Sequence, residues 1–139
     1  MTAAAPTLPP FITYDAHRAA WISEREYESR PASLSDATIV IPAGFACDLS
    51  SVPRVLWNLI APFELSIGGP LTHDWLYRHR GAATVRFDDS SGAAASWTFS
   101  RAQADRFFLD LMKVEGVVWW KRTLAYHAVR WFGRSSWGH

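Results

Sequence analysis

Thr72-His73-Asp74-Trp75-Leu76-Tyr77 places an imidazole, a carboxylate and a phenol within a short stretch, and nothing else in the sequence looks as much like chemistry. If the stretch is helical, residues three and four apart are neighbours, so Tyr77 lies beside both His73 and Asp74. His73 and Asp74 diverge by about 100° around the axis and must serve different partners. One can orient on a second helix while the other faces a metal or solvent.

The elements that would position these groups can be read from the flanking sequence. Ser66-Ile67-Gly68-Gly69-Pro70 is a turn, and Pro70 suits the first position of a helix that runs to about Arg80 and stops at Gly81. Ala82 to Phe87 and Ala93 to Phe99 flank a polar tip, Asp88 to Gly92, and predict a β-hairpin. Ser100 with Gln103 makes a capping box, so the next helix spans Arg101 to about Glu115, with Gly116 past its end. On it Ala104, Phe108, Leu111 and Met112 form one apolar face. Asp105 falls on the edge of that face, about 60° from its centre, while Asp110 points away as ordinary surface. An ionised carboxylate facing a core is costly unless something donates to it. The donors on offer are His73 and Tyr77, provided the two helices pack antiparallel across the hairpin. A ring nitrogen of His73 is then expected roughly 2.6 to 3.2 Å from an Asp105 oxygen, with the Tyr77 hydroxyl on the same carboxylate.

Upstream, Met1 to Pro10 is an arm of small residues and proline. Trp21 to Tyr27 alternates as a strand, and Thr38 to Ile41 is β-branched and ended by Pro42; the two are expected to pair antiparallel across Arg30 to Asp36. Ser50 or Ser51 ahead of Pro53 reads as the cap of a short helix reaching Ile60. Asp48 is a second capping candidate there, and also a candidate site residue. A last helix is expected from Val117 to Phe132, stopped by Gly133. Its stripe Val117, Trp120, Leu124, Ala128 and Trp131 reads as core, with Trp119, Arg122, Tyr126 and Arg130 on the other side. That second face, basic and aromatic, suits a protein partner or a lipid headgroup layer.

The 139 residues are 49% hydrophobic and 19% charged, a globular composition for one domain with a real core. A formal net charge of +1 argues against non-specific nucleic-acid binding. The single Cys47 cannot form an internal disulfide, which fits a reducing compartment or an assembly. No signal peptide and no apolar stretch of membrane-spanning length is recognisable, so the chain is expected to be made and kept in the cytoplasm, or released only by lysis.

The helix, hairpin, helix arrangement carrying His-Asp-x-x-Tyr and then Ala104-Asp105-Arg106 resembles the secretory and parvoviral phospholipases that cleave the sn-2 ester. The resemblance spans Gly68 to Met112 and implies His73 as the base that activates water. It also implies Asp74 as a calcium ligand, with Asp105 and Tyr77 orienting the histidine. Where those enzymes carry a glycine-rich calcium loop, this chain has Val52-Pro53-Arg54-Val55-Leu56-Trp57. The chain as a whole is similar to a family of prophage-encoded proteins. The shared pattern comprises Pro42, Gly44, Phe45, Asp48, Ser51 to Arg54, His73 to Tyr77, Ala104-Asp105, and Val129-Arg130 with Phe132-Gly133. That resemblance implies a phage or prophage origin, with other phage proteins as partners, and assigns no activity.

Other metal chemistries fit less well. All-helical phosphohydrolases with a His-Asp pair use a separate upstream histidine, and the upstream histidine here is His17, ahead of the strands. His73 and His79 stand about 240° apart around a helix and cannot share a zinc ion. Ser50 and Ser51 lack the glycine-flanked elbow of a serine nucleophile.

The sequence therefore predicts a small α+β domain over residues 11 to 139, a helix pair flanking a β-hairpin with an N-terminal antiparallel strand pair. The leading functional expectation is a phage-encoded His/Asp-dyad ester hydrolase of phospholipase type, with His73 as general base and calcium as the candidate cofactor. The alternative is a non-catalytic virion or tail-assembly protein. The two differ in one observable: a hydrolase needs His73 at the floor of an open cleft, whereas a structural network buries it.

Overall fold

A computed structural model describes residues 10–47, 67–89 and 91–138. The expected arm up to residue 9, Asp48 and the short helix from Ser50 to Ile60 lie outside these residues. Two antiparallel sheets are present. In the first, β1 (Ile12–Asp15), β2 (Ala20–Ser23) and β5 (Ala46–Cys47) lie in the order β1-β2-β5. In the second, β3 (Tyr27–Ser29), β4 (Ala37–Ile41), β6 (Ala82–Phe87) and β7 (Ala94–Thr98) lie in the order β3-β4-β6-β7. The helices are α1 (Gly68–Arg78), α2 (Arg101–Val114) and α3 (Trp119–Phe132), with a 3₁₀ turn at Gly133–Ser136. The α+β prediction therefore holds, including the hairpin β6-β7 between two packed helices.

The expected strand from Trp21 to Tyr27 is broken into two, and each half joins a different sheet. Tyr27 does pair with Ile41, as predicted across the Arg30–Asp36 turns. Trp21, however, pairs with Tyr14 and Cys47. Ser23 is the corner: its N–H donates to Phe45 O at 2.9 Å, and its carbonyl accepts from Gly44 N at 2.7 Å. Its hydroxyl donates to Pro42 O and accepts from Phe45 N, both at 3.0 Å. Those partners lie about twenty residues downstream, beyond the reach of an alternation rule.

The core lies between the second sheet and the first two helices. Ala37 and Ile39 of β4, Ala83 and Val85 of β6, Leu76 and Tyr77 of α1, and Phe107 of α2 form one buried cluster. All of β4 is buried, which explains its unbroken Ala-Thr-Ile-Val-Ile run. A second cluster joins α2 to α3 through Phe108, Met112, Val117, Ala125 and Val129.

Helix ends follow the sequence where the signal is local. Ser100 caps α2 through Gln103 N, and the Gln103 side chain returns to Ser100 N, completing the capping box. Gly81 closes α1 with φ +84°, its N–H donating to Leu76 O at 2.7 Å. A Cβ there would run into the Phe99 carbonyl, so glycine is required twice over. The start of α1 differs from expectation: it lies at Gly68, ahead of Pro70. The cause is Glu115, whose carboxylate accepts from Gly68 N at 3.2 Å and Gly69 N at 3.1 Å. A cap borrowed from the end of α2 extends the helix backwards past its proline.

α3 begins at Trp119, with Val117 and Val118 ahead of it. Of the predicted core stripe, Val117 and Ala128 are buried and Leu124 packs against them, whereas Trp120 and Trp131 face outward and Ala125 and Val129 take their place. Small residues win the inner face because α2 approaches closely. The side chain of Arg122 folds back onto Val117 O at 3.1 Å. Asp110 is also corrected: it is 4% exposed and accepts from Ser33 N at 3.1 Å and from the Ser33 hydroxyl. A loop from the sheet covers that side of α2, which the helix pattern alone treats as open to water.

Candidate functional site

α1 and α2 pack so that His73, Tyr77 and Asp105 meet in the interior. His73 Nε2 lies 2.7 Å from Asp105 Oδ1, and the Tyr77 hydroxyl donates to the same oxygen at 2.6 Å. Both distances match the expectation drawn from helical spacing. An ionised carboxylate only accepts, so Nε2 carries the proton and Nδ1 is the ring nitrogen that Asp105 does not engage. The imidazole is held between the rings of Tyr77 and Phe108, with centroids 4.1 and 4.6 Å away. His73 and Tyr77 are each 1% exposed and Asp105 is 0% exposed.

The other oxygen of Asp105 belongs to arginines. Arg130, in the last turn of α3, donates to Oδ2 at 2.7 Å, and Arg101, in the first turn of α2, stands 3.5 Å from it. Arg101 also donates to Tyr77 Oη at 3.2 Å, to Val129 O at 3.0 Å and to Arg130 O at 3.2 Å, and so closes the carboxyl end of α3. Gly133 permits the approach: a Cβ there would sit 2.8 Å from Tyr77 Oη. Burial alone would favour the neutral acid at Asp105, but the hydrogen bonds it accepts from His73, Tyr77 and Arg130 outweigh it and hold the carboxyl below its usual range. Burial, then the Asp105 hydrogen bond and charge, push the Tyr77 phenol far above its ordinary value and keep it a donor.

Arg101 and Arg130 are the members of this centre that sequence reading missed. A signal for Arg101 exists in its spacing, four residues before Asp105 on the same helix. Arg130 offers none locally, because its partner lies on another helix. Asp74 serves a different partner from His73, as predicted, but it does not face solvent: it is 1% exposed, and its Oδ2 lies 3.7 Å from Arg78 Nη2. Calcium requires six or more oxygen ligands. Among the described residues no three His, Cys, Asp or Glu side chains form a metal-binding group, and Asp48 lies outside those residues. His79 is exposed and bonded to Trp75 O at 2.7 Å through Nδ1, far in character from buried His73.

Two cavities of about 390 Å³ each are lined by described residues. One lies between the hairpin and α2, bordered by Leu34, Val85, Trp97, Phe99 and Arg106. The other lies over Gly44, Phe45, Trp75, Arg78 and His79. His73, Tyr77 and Asp105 line neither.

Fold and centre together define a small α+β domain whose three helices share one buried carboxylate. The chain belongs to the family described as Protein of unknown function (DUF1353), whose model matches residues 23–129. The matched stretch takes in His73, Tyr77, Arg101 and Asp105 and ends just short of Arg130. No curated protein and no solved structure matches the chain.

Proposed function

We propose that this chain is a non-catalytic structural protein of a phage particle or of its assembly, with Asp105 acting as the ionic lock of its three helices. One observation carries the reading: both oxygens of Asp105, on α2, are taken by donors from α1 and α3 in a centre where His73 is 1% exposed. A base in a hydrolase must meet water and a substrate carbonyl, so it needs a ring edge on a cleft. The negative charge that an orienting carboxylate lends to a base is here shared with two guanidinium groups. The phage setting is supported by the motif string from Pro42 to Gly133.

The test has two arms. Purified protein is assayed on a phosphatidylcholine and on a p-nitrophenyl ester, with calcium and with chelator, beside a His73→Gln variant. No turnover in wild type, together with detection of the chain in particles purified from its induced host, is the expected result. Turnover that His73→Gln abolishes while keeping its fold would overturn it.

A hydrolase is the second reading, and one observation favours it. The Nε2 contact to Asp105, with Tyr77 on the same oxygen, is the orientation in which Nδ1 serves as the base and the carboxylate fixes the tautomer. In that reading His73 takes a proton from water at Nδ1, and Asp105 and Tyr77 position the ring. Calcium-dependent turnover lost in Asp74→Ala would support the phospholipase form of it.

A further inference from the structure

The outer side of α3 is aromatic where a solvent-facing helix is normally polar. Trp119, Trp120 and Trp131 are 68%, 43% and 71% exposed. At about 100° per residue they fall with Thr123 and His127 in a single stripe. From Trp119 to Trp131 the stripe runs roughly 18 Å. The helix does not need these rings for packing, since it packs through Ala125, Ala128 and Val129. Polar groups border them: the His127 ring stacks on Trp131 at 5.4 Å, and the Lys121 ammonium lies 5.4 Å from the centre of the Trp120 ring.

The segment that carries the stripe has charge of one sign. No acidic residue occurs from Gly116 to His139, while Lys121, Arg122, Arg130 and Arg134 do. Arg122 and Arg130 are turned to Val117 and Asp105, whereas Arg134 is exposed at the helix end. A convex row of indoles flanked by cations matches the chemistry of a headgroup layer, where the ring sits at the apolar boundary and its N–H stays wet. Among the described residues no helix is long and apolar enough to cross a membrane, so any such contact is made lying along the surface.

We infer that the Trp119–Trp120–Trp131 face of α3 docks on the surface of an anionic phospholipid membrane. The aromatic stripe supplies the insertion and the acid-free surround supplies the preference for negative lipid. This inference is independent of what the Asp105 centre does.

The experiment uses the full chain with vesicles of phosphatidylcholine alone and of phosphatidylcholine with phosphatidylglycerol, read by co-sedimentation and by tryptophan emission. Binding to the phosphatidylglycerol vesicles that weakens with salt is expected, with emission shifted to the blue. A Trp119→Ser/Trp131→Ser variant, folded by its melting curve, is expected to bind roughly tenfold or more weakly, the change that about 1.4 kcal/mol represents. Arg134→Gln is expected to weaken the preference for phosphatidylglycerol. No binding to either vesicle, or binding that the double tryptophan variant keeps, would overturn the proposal. Self-association lost in that variant, without vesicle binding, would assign the face to a second copy of the chain and overturn it equally.

Discussion

Asp105 is the residue on which the interior balances, since it is fully buried and, from α2, answers donors on α1 and α3. Removing one partner from a buried ionic cluster leaves the others uncompensated, a loss of about 3 to 5 kcal/mol for pairs of this type. Asp105→Leu is expected in that range, because Arg130, a phenol and an imidazole lose their acceptor and Arg101 loses its counter-charge. The measurement is a denaturant melt at neutral pH, and a midpoint equal to wild type would contradict the role given to the carboxylate. Asp105→Asn keeps one acceptor oxygen and is expected to fall between. The histidine, tyrosine and aspartate were legible in the sequence because each sits at helical spacing from an apolar face. The arginines were not: Arg130 is an ordinary surface cation by periodicity, and only the crossing of α3 over α2 brings it to the carboxylate.

At the scale of elements, what sequence shows well is what neighbours in the chain decide. The capping box at Ser100, the stop at Gly81 and the hairpin from Ala82 to Thr98 all rest on residues a few positions apart. What it shows poorly rests on distant partners. The corner at Ser23 is held by Pro42 and Phe45, the burial of Asp110 is made by Ser33, and the start of α1 is made by Glu115. The outward turn of Trp120 and Trp131 belongs to the same class, because hydrophobicity alone cannot say which of two apolar stripes α2 will cover. Glu115→Ala should therefore cost about 0.5 to 2 kcal/mol, the range for losing a helix cap. Its signature is local: hydrogen exchange at the amides of Gly68 and Gly69 should quicken, and unchanged exchange there would show that the cap is idle.

For the whole molecule, the shifted groups set opposite limits on pH. Asp105 has a folded pKa below its unfolded value of about 3.9, so its contribution is complete above about pH 4 and is lost as pH falls through the folded value. Asp88, held low by Arg30, adds to the same acid limb. Tyr77 and Tyr27 are shifted upward by burial and nearby carboxylates, so their contribution is present below about pH 10 and is lost as pH rises beyond it. Thermal midpoints measured from about pH 3 to about pH 11 should fall on both sides of a plateau, and Asp105→Asn should flatten the acid side. A wild-type midpoint still level at about pH 11 would count against the buried phenols. The two ends of α2 carry a further consequence. Arg101 stands at the helix's own amino end and Glu115 at its own carboxyl end, each the wrong sign for the dipole it sits on. Each is the right sign for a neighbour, Arg101 for the close of α3 and Glu115 for the opening of α1. Cut out as a peptide, α2 would be a poor helix; in the chain it cannot finish before both neighbours arrive. Since α3 is the last of the three to be synthesised, a nascent chain still lacking Val129 and Arg130 holds Asp105 without its arginine and Arg101 without its carbonyls, and the domain closes only once its final helix is released.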